Sequence, residues 1–549
     1  EVVAEALSLL GAEGSPFVVE RPADAMHGDY TVNAALAAAK QLKKNPRKLA
    51  EELAGKIKDA LGEAERVEVA GPGFVNITLA REAVTFAVAE ADAQKGEWGK
   101  GSDSGKVMIE YTSPNLFKPL HIGNLVGNIL GESIARLLEA NGATVTRINY
   151  PSDIGLTVAK GVWGLKTHNL NPEDIAELGK AYVLGNTAYE EGADEEKKEI
   201  EEINRSLYAG SDEALSALRA AGISTSRRHL DELCRALGTT FDQVYFESQS
   251  APRGKALVEA HIEDGIFEKS DGAVVYKGEK RGLHTRVFVS SQGLPTYEAK
   301  DVGLFDLKSS ANPDFTRSIT ITGSEQKEYF KVIFAAIADV FPERVAGKEL
   351  LHISNGFLRL TTGKMSSRKG NVITGESLLE EIKTRVGEIM KERVVEGAEE
   401  VAEQVAIGAI KYMVLRQSPG SDIIFDAEKS LSLEGDSGPY LQYALVRAKK
   451  ILAYGGESTG GTEEPAEPYL IERLLLHYPE VTARAARELA PNLLLTYLTE
   501  IAGAWNGFYN NEQILGSPEE AYKQRVARAF ANTMTNGLAL LGIPTPEKM

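Results

Sequence analysis

Between residues 106 and 150 an apolar, β-branched run, KVMIEY, passes through the glycine-bearing stretch TSPNLFKPLHIGNLVG into the helical pattern NILGESIARLLEANGA, and then into TVTRINY. A strand, a helix and a strand in close succession can pair only in parallel, because the crossover returns the chain to the same edge in the same direction. This stretch therefore commits the chain to a parallel sheet covered by helices, an α/β architecture. Helices interrupt the alternation from about 165 to 285, and the acidic run EEGADEEKKEIEEINR there reads as a solvated helix face. RVFVSS and SITITG then restore the strand pattern, and YFKVIFAAIADVF follows as an apolar helix.

With 549 residues the chain exceeds what one core can organise. Residues 1–100 read as a small α+β unit: helical apolar spacing broken at Pro46, then two short strands around the turn Gly71-Pro72-Gly73. Polar, glycine-bearing QKGEWGKGSDSGK closes it. The second unit spans 101–375. After 375 strand signals nearly vanish, and 376–549 reads as an all-α domain with a flexible loop, GGESTGGTEEPAEP, inside it.

Composition excludes several classes. The single Cys234 allows no intrachain disulfide, and the 8 histidines form no ligand-spaced cluster with it, so a reducing cytoplasm and no structural metal are expected. No apolar run is long enough to span a membrane, and the opening EVVAEALSLLGAEG does not read as a secretory signal. A net charge of −18 argues against coating nucleic acid indiscriminately, but not against a specific RNA held by local basic patches.

The glycine-bearing stretch sits where a strand hands over to a helix. Unpaired N–H groups at such a terminus suit phosphate, and Lys118 and His121 stand just before it. Gly123, Gly127 and Gly131 strip one helix face of side chains, so a ligand or a strand can approach. From this stretch alone, helix–sheet packing is the better explanation of these glycines, with His121 incidental. A second stretch, TTGKMSSRKGNVIT (361–374), is a glycine-bracketed loop carrying Lys364, Arg368 and Lys369, suited to neutralising a polyphosphate.

Together, HIGN and KMSSR, about 240 residues apart, resemble the paired HIGH and KMSKS signatures of class I aminoacyl-tRNA synthetases. EYTSPNLFKPLHIGN, LPTYEAKDVG, GPYLQYALVRA and LGIPTPEKM, with GDYTVNAALAAAKQLKKNPRKLAEEL and VEVAGPGFVNI near the start, resemble the arginyl-tRNA synthetases within that class. The likeness covers nearly the whole chain and weakens only over 165–285. It implies a Rossmann-type catalytic domain with a helical insertion, an N-terminal domain that binds the tRNA D-loop, and a C-terminal anticodon-binding bundle.

By the same likeness, Glu110 and Asp301 match carboxylates that face the substrate guanidinium, with Tyr297 beside them. Asn115 and Gln326 match groups that hold the amino acid. Lys118, His121, Gly123 and Asn124 match ATP phosphate and ribose contacts; Lys364, Met365 and Ser366 match the pyrophosphate loop; His352 and Gly356 match the adenine pocket. Phe74 and Asn76 match tRNA-contacting positions. Trp505, Phe508 and Tyr509 offer aromatic faces to bases, but at helical spacing such residues are more often core. Three departures stand out: Asn124 replaces the last histidine of HIGH, Ser367 and Arg368 replace the end of KMSKS, and SDIG (152–155) replaces GDWG.

A planar, permanently charged guanidinium fits carboxylates able to form forked hydrogen bonds, and the charges of Glu110 and Asp301 are expected to be compensated only when arginine is bound. The implied reaction forms arginyl-adenylate from L-arginine and ATP, with magnesium accompanying the nucleotide, then charges tRNA(Arg). A monomer acting in the cytoplasm is expected. The rival expectations are a class I synthetase for another amino acid, which would not need both carboxylates, and a catalytically silent tRNA-binding paralogue.

Overall fold

The computed structural model of the protein describes every residue except 23, 25, 26, 63, 362–373, 391–396 and 456–460. The described residues form two compact units, one comprising 1–99, 444–481 and 497–536, the other 100–443, 482–496 and 537–549. Among them no helix is long and apolar enough to cross a membrane.

The second unit is built on a five-stranded sheet. Its elements are β1 (Lys106–Glu110), α1 (Ile122–Ala140), β2 (Thr144–Asn149), α2 (Glu213–Ala236), β3 (Gln243–Val244), α3 (Glu247–Ala260), α4 (Tyr297–Ala311), β4 (Arg317–Gly323), α5 (Lys327–Val340) and β5 (Glu349–Asn355). The strand order is β5-β4-β1-β2-β3, with every pairing parallel. Read from the other edge this is 3-2-1-4-5, the doubly wound order whose direction reverses between β1 and β4. Ligands in such sheets bind outside the carboxyl ends at that reversal. Glu110 ends β1, and Gln326 follows β4 by three residues.

Burial explains the strand sequences. Val107, Met108 and Ile109 are all buried because helices cover both faces, so β1 shows a continuous apolar run instead of alternation. Gly131 lets α1 settle on the segment leaving β1: a Cβ there would lie 2.3 Å from Tyr111 Cγ. Gly131→Ala should therefore overpack this contact and destabilise the protein by about 1–3 kcal/mol, measurable as a lowered urea midpoint. Gly127 meets nothing within 4 Å, and Gly123 faces only the His121 ring, so the three glycines serve three different ends.

RVFV does not join the parallel sheet, contrary to the expected alternation. Arg286–Val289 pairs antiparallel with Ala273–Tyr276, which pairs in turn with Glu268–Ser270. A β-branched run fits either sheet; here the turn Asp271-Gly272, both at positive φ, makes a hairpin that supplies the partner. Phe267, Tyr276 and Phe288 pack together beneath it. The acidic helix Asp194–Ala209 buries Ile200, Ile203 and Leu207 on one side only.

Lys411, in the buried helix α6 (Ala398–Leu415), ties distant segments together. Its Nζ donates to the carbonyls of Leu237 and Gly542, both at 2.6 Å, and burial, with Arg136 nearby, pushes its pKa down to about 7. Arg136 donates to Ala539 and Gly238 carbonyls at 2.8 and 2.6 Å and to Glu132 at 2.8 Å. The chain end 537–549 is thereby fastened to α1 and to the end of α2.

In the first unit, an antiparallel sheet of Val19–Glu20, Tyr30–Val32, Phe74–Leu79 and Ala64–Ala70 packs on helices Ala34–Leu42 and Pro46–Ala60. Asn45 caps the latter and Pro46 occupies its first turn, so the proline starts a helix there. Trp505 is fully buried and stacks on Phe530 at 4.6 Å, and Phe508 is buried too, so these two are core. Tyr509 lies under Arg447 at 4.0 Å.

Candidate active site

The loop from β1 to α1 is strained. Thr112, Ser113 and Phe117 all have positive φ, at 74°, 25° and 68°, which costs energy for residues with a Cβ and worst for a β-branched one. Hydrogen bonds hold it: Asn124 Nδ2 donates to the Thr112 carbonyl (2.8 Å), Asn128 Nδ2 to Thr112 Oγ1 (2.9 Å), and Phe117 N to Ser226 Oγ (3.0 Å). Leu116 N and Ser152 N bond to the Ser152 and Pro114 carbonyls. Asn124, expected as a nucleotide contact, uses one of its two amide N–H donors on this loop. SDIG contributes the buried Asp153, which accepts from Arg219, from Ser248 Oγ and from Ser248 N.

His121 is the N-cap of α1, its Nδ1 accepting from Gly123 N at 3.1 Å. With Nδ1 an acceptor, the neutral ring carries its proton on Nε2, free to donate outward. Burial and then Lys118 hold its pKa below the usual histidine value, although Glu325 works the other way. Lys118 is exposed, with its ammonium 5.8 Å from the Tyr182 ring. Two donors thus stand at a helix N-terminus.

At the end of β1, Glu110 is buried, and Lys308 Nζ donates to its Oε2 at 2.7 Å. Its charge is therefore already compensated, and the expectation that both carboxylates await arginine fails for this one. A second buried pair, Lys300 to Glu247 at 2.6 Å, lies close by. Asp301 differs. It accepts from Tyr329 OH at 2.6 Å and has no ion pair among the described residues. It keeps a partly accessible edge, yet burial first, then Glu110 and Glu247, pushes its pKa up to about 8, against the Tyr329 bond and Lys308. The cluster thus contains two self-neutralised pairs and one carboxyl without a cation.

The other expected residues scatter around these two. Tyr297 is 59% exposed, its ring faced by Lys300 at 4.9 Å. Asn115 is exposed and pairs through its backbone with Ser152, and Gln326 is exposed in a short turn before α5. His352 stacks on Phe330 at 4.5 Å and meets Thr322 Oγ1 through Nε2 at 2.8 Å; burial, then Lys327, lowers its pKa to about 4. Gly356 needs no nucleotide to explain it, since a Cβ there would lie 1.8 Å from the Ser421 carbonyl. The Gly123 carbonyl accepts from Asn355 Nδ2 at 3.1 Å, which joins β5 to α1. Lys364, Met365 and Ser366 lie outside the described residues, as do Ser367, Arg368 and Lys369. Phe74 and Asn76 are half-buried in a strand paired on both sides, Asn76 Oδ1 accepting from Thr31 Oγ1 at 2.8 Å.

Sequence reasoning missed Lys308, Tyr329 and the Lys300–Glu247 pair. Lys308 lies seven residues beyond Asp301, two turns along the same face of α4, which is the one local signal that pointed to it. Among the described residues no three His, Cys, Asp or Glu side chains converge to hold a metal. The groups at the helix terminus are nitrogen donors, so a magnesium ion would ride on the nucleotide and not on this chain.

The doubly wound sheet, with donors at one helix terminus and carboxylates at its reversal point, is an arrangement that a class I aminoacyl-tRNA synthetase catalytic domain uses, and residues 87–427 match the family described as "tRNA synthetases class I (R), catalytic domain". Residues 1–79 match "Arginyl tRNA synthetase N terminal domain" and 441–549 match "DALR anticodon binding domain". An arginine--tRNA ligase of Fusobacterium nucleatum is 31% identical over 541 residues, covering 95% of this chain and 93% of that one. One of Clostridium acetobutylicum is 30% identical, covering 97% and 96%. The solved arginyl-tRNA synthetase of Thermus thermophilus superposes with a TM-score of 0.82 at 27% identity, covering 100% of this chain and 99% of that one. The chain belongs to the arginyl-tRNA synthetase family.

Proposed function

We propose that the carboxyl edge of this sheet binds L-arginine and ATP side by side and charges tRNA(Arg). The activity class follows from family membership: an arginine--tRNA ligase that forms AMP and pyrophosphate. The observation that favours arginine here is Asp301, a carboxyl with no cation among the described residues beside pairs that are already neutral, so once it ionises the pocket is one positive charge short. A class I enzyme for a neutral amino acid has no use for that deficit.

In this reading Asp301 and the free Oε1 of Glu110 face the guanidinium, with Tyr297 at the mouth. Asn115 and Gln326 hold the amino and carboxylate groups. An arginine carboxylate oxygen attacks the α-phosphorus of ATP, the bond to the bridging oxygen breaks, and pyrophosphate leaves with that electron pair. Lys118, the Nε2–H of His121, and Lys364 with Ser366 and Met365 neutralise the phosphates as charge develops, while Gly123 and Asn124 shape the ribose side and His352 and Gly356 the adenine side. The terminal ribose hydroxyl of tRNA then takes the arginyl group and AMP departs. Magnesium accompanies ATP, and no step depends on a protein cage for it. Residues 1–100 bind the D-loop of the tRNA and 376–549 its anticodon, while 101–375 carry the chemistry, in a monomer acting in the cytoplasm.

The test is a tRNA-charging assay with ATP across all amino acids: arginine alone should be attached. Attachment of another amino acid, or of none, would support one of the rival readings. Phe74→Ala should raise the KM for tRNA by the equivalent of about 1–3 kcal/mol, the worth of one stacked base, without changing the arginine constant. A lowered thermal midpoint with unchanged tRNA use would assign Phe74 to the sheet instead.

A further inference from the structure

The second cationic segment ends at Thr374-Gly375-Glu376, where the described chain resumes and enters helix Gly375–Met390. There it pairs with the first signature. His121 and Thr374 form an isolated antiparallel bridge, and Gly375 N donates to the Leu120 carbonyl at 2.9 Å. Glu376 completes the exchange with its side chain, Oε1 accepting from Leu120 N at 3.2 Å. The same oxygen lies 3.4 Å from Nε2 of His229, on α2 of the insertion. Ser226, one turn earlier on α2, holds Phe117 N, so this helix grips the loop at two points. Burial alone would raise the Glu376 pKa, but His229 and backbone donors hold it below the ordinary carboxylate value, and Glu376 raises that of His229.

We propose that Glu376, braced by His229, is a positioning residue that fixes the backbone of Leu120 and so aims His121 at the nucleotide. The proposal rests on the reading of His121 as an ATP contact. In this role Glu376 and His229 act through Leu120, the one residue between Glu376 and the helix terminus. The strain in 112–117 makes such a brace necessary, since a loop with three unfavourable φ values relaxes once an anchor is lost. It also gives the insertion a part in the chemistry that its sequence does not announce.

The experiment measures arginine-dependent ATP–pyrophosphate exchange, with tRNA present, for the full chain and four variants: Glu376→Ala, Glu376→Gln, His229→Gln and His121→Ala. Misaiming a group by about 1 Å costs ~10²-fold, so Glu376→Ala should lower kcat ~10- to 100-fold while the KM for arginine stays within about twofold. Glu376→Gln keeps the acceptor for Leu120 N and should recover most of the rate; His229→Gln should fall between the two. Parental kcat in Glu376→Ala overturns the brace, and so does a loss that Glu376→Gln fails to recover. If Glu376→Ala does not fold, a parental rate for His229→Gln overturns it equally. Parental kcat in His121→Ala would instead overturn the reading of His121 and leave the brace without an object.

Discussion

Glu110→Gln is expected to damage folding and arginine binding together. The substitution keeps the shape of Glu110 but leaves the Lys308 ammonium buried without its counter-charge at 2.7 Å. Breaking one side of a buried ion pair costs about 3–5 kcal/mol, because the surviving charge stays in the interior. The unfolding midpoint in urea should fall accordingly, and arginine affinity should fall as well. Adding Lys308→Met removes the stranded charge. The double variant should recover most of the stability, as apolar replacements of buried pairs commonly do, while arginine binding stays impaired. Full recovery of both would mean that Glu110 is a structural residue only.

Asp301→Asn is expected to behave differently, and its effect should depend on pH. Asp301 has no cation to strand among the described residues, so the variant should fold at least as well as the parent. In the parent, the folded-state pKa of about 8 lies above the ordinary carboxylate value, so the folded chain holds an extra proton between roughly pH 4 and 8. This group favours folding at low pH, and that contribution is lost as pH rises through 8. Binding runs the other way. A guanidinium is always charged and needs the carboxylate, so arginine expels the proton and its affinity strengthens as pH rises towards 8. Above that pH the full cost of Asp301→Asn is exposed, roughly 2–5 kcal/mol for a charge partner lost from a buried site. At pH 6 the parent is itself protonated, at about 1.4 kcal/mol per pH unit below its pKa, and the gap between the two proteins should narrow by roughly 3 kcal/mol. ATP affinity should not follow this curve, because Lys118 and His121 belong to the other half of the site.

Parts of this arrangement are legible in the residues. KVMIEY, the helix with its three glycines, TVTRINY and SITITG lie where their patterns put them, because long apolar periodicity and a glycine-bearing strand-to-helix turn are local signals. Gln243–Val244 completes the sheet with two residues, too few to show any period. RVFV joined the wrong sheet in the reading because β-branching sets strand tendency and not partner choice. Glu110 and Asp301 stood out only through likeness to a family. What distinguishes them is a matter of partners among the described residues: Lys308 on the first, Tyr329 on the second. Such pairings join residues far apart in the chain, and no spacing rule reveals them. His229 and Glu376 are a further case, brought together by a helix of the insertion.

The central claim is that the pocket is one positive charge short and that arginine supplies it at Asp301. Titration calorimetry of arginine into the parent protein at pH 7, in two buffers of different ionisation enthalpy, counts the protons exchanged on binding. The parent should release about one proton per arginine bound and Asp301→Asn about none, since only the parent carries a carboxyl that must ionise. Arginine binding tightly to the parent with no proton release, or with the same release in Asp301→Asn, would contradict the account.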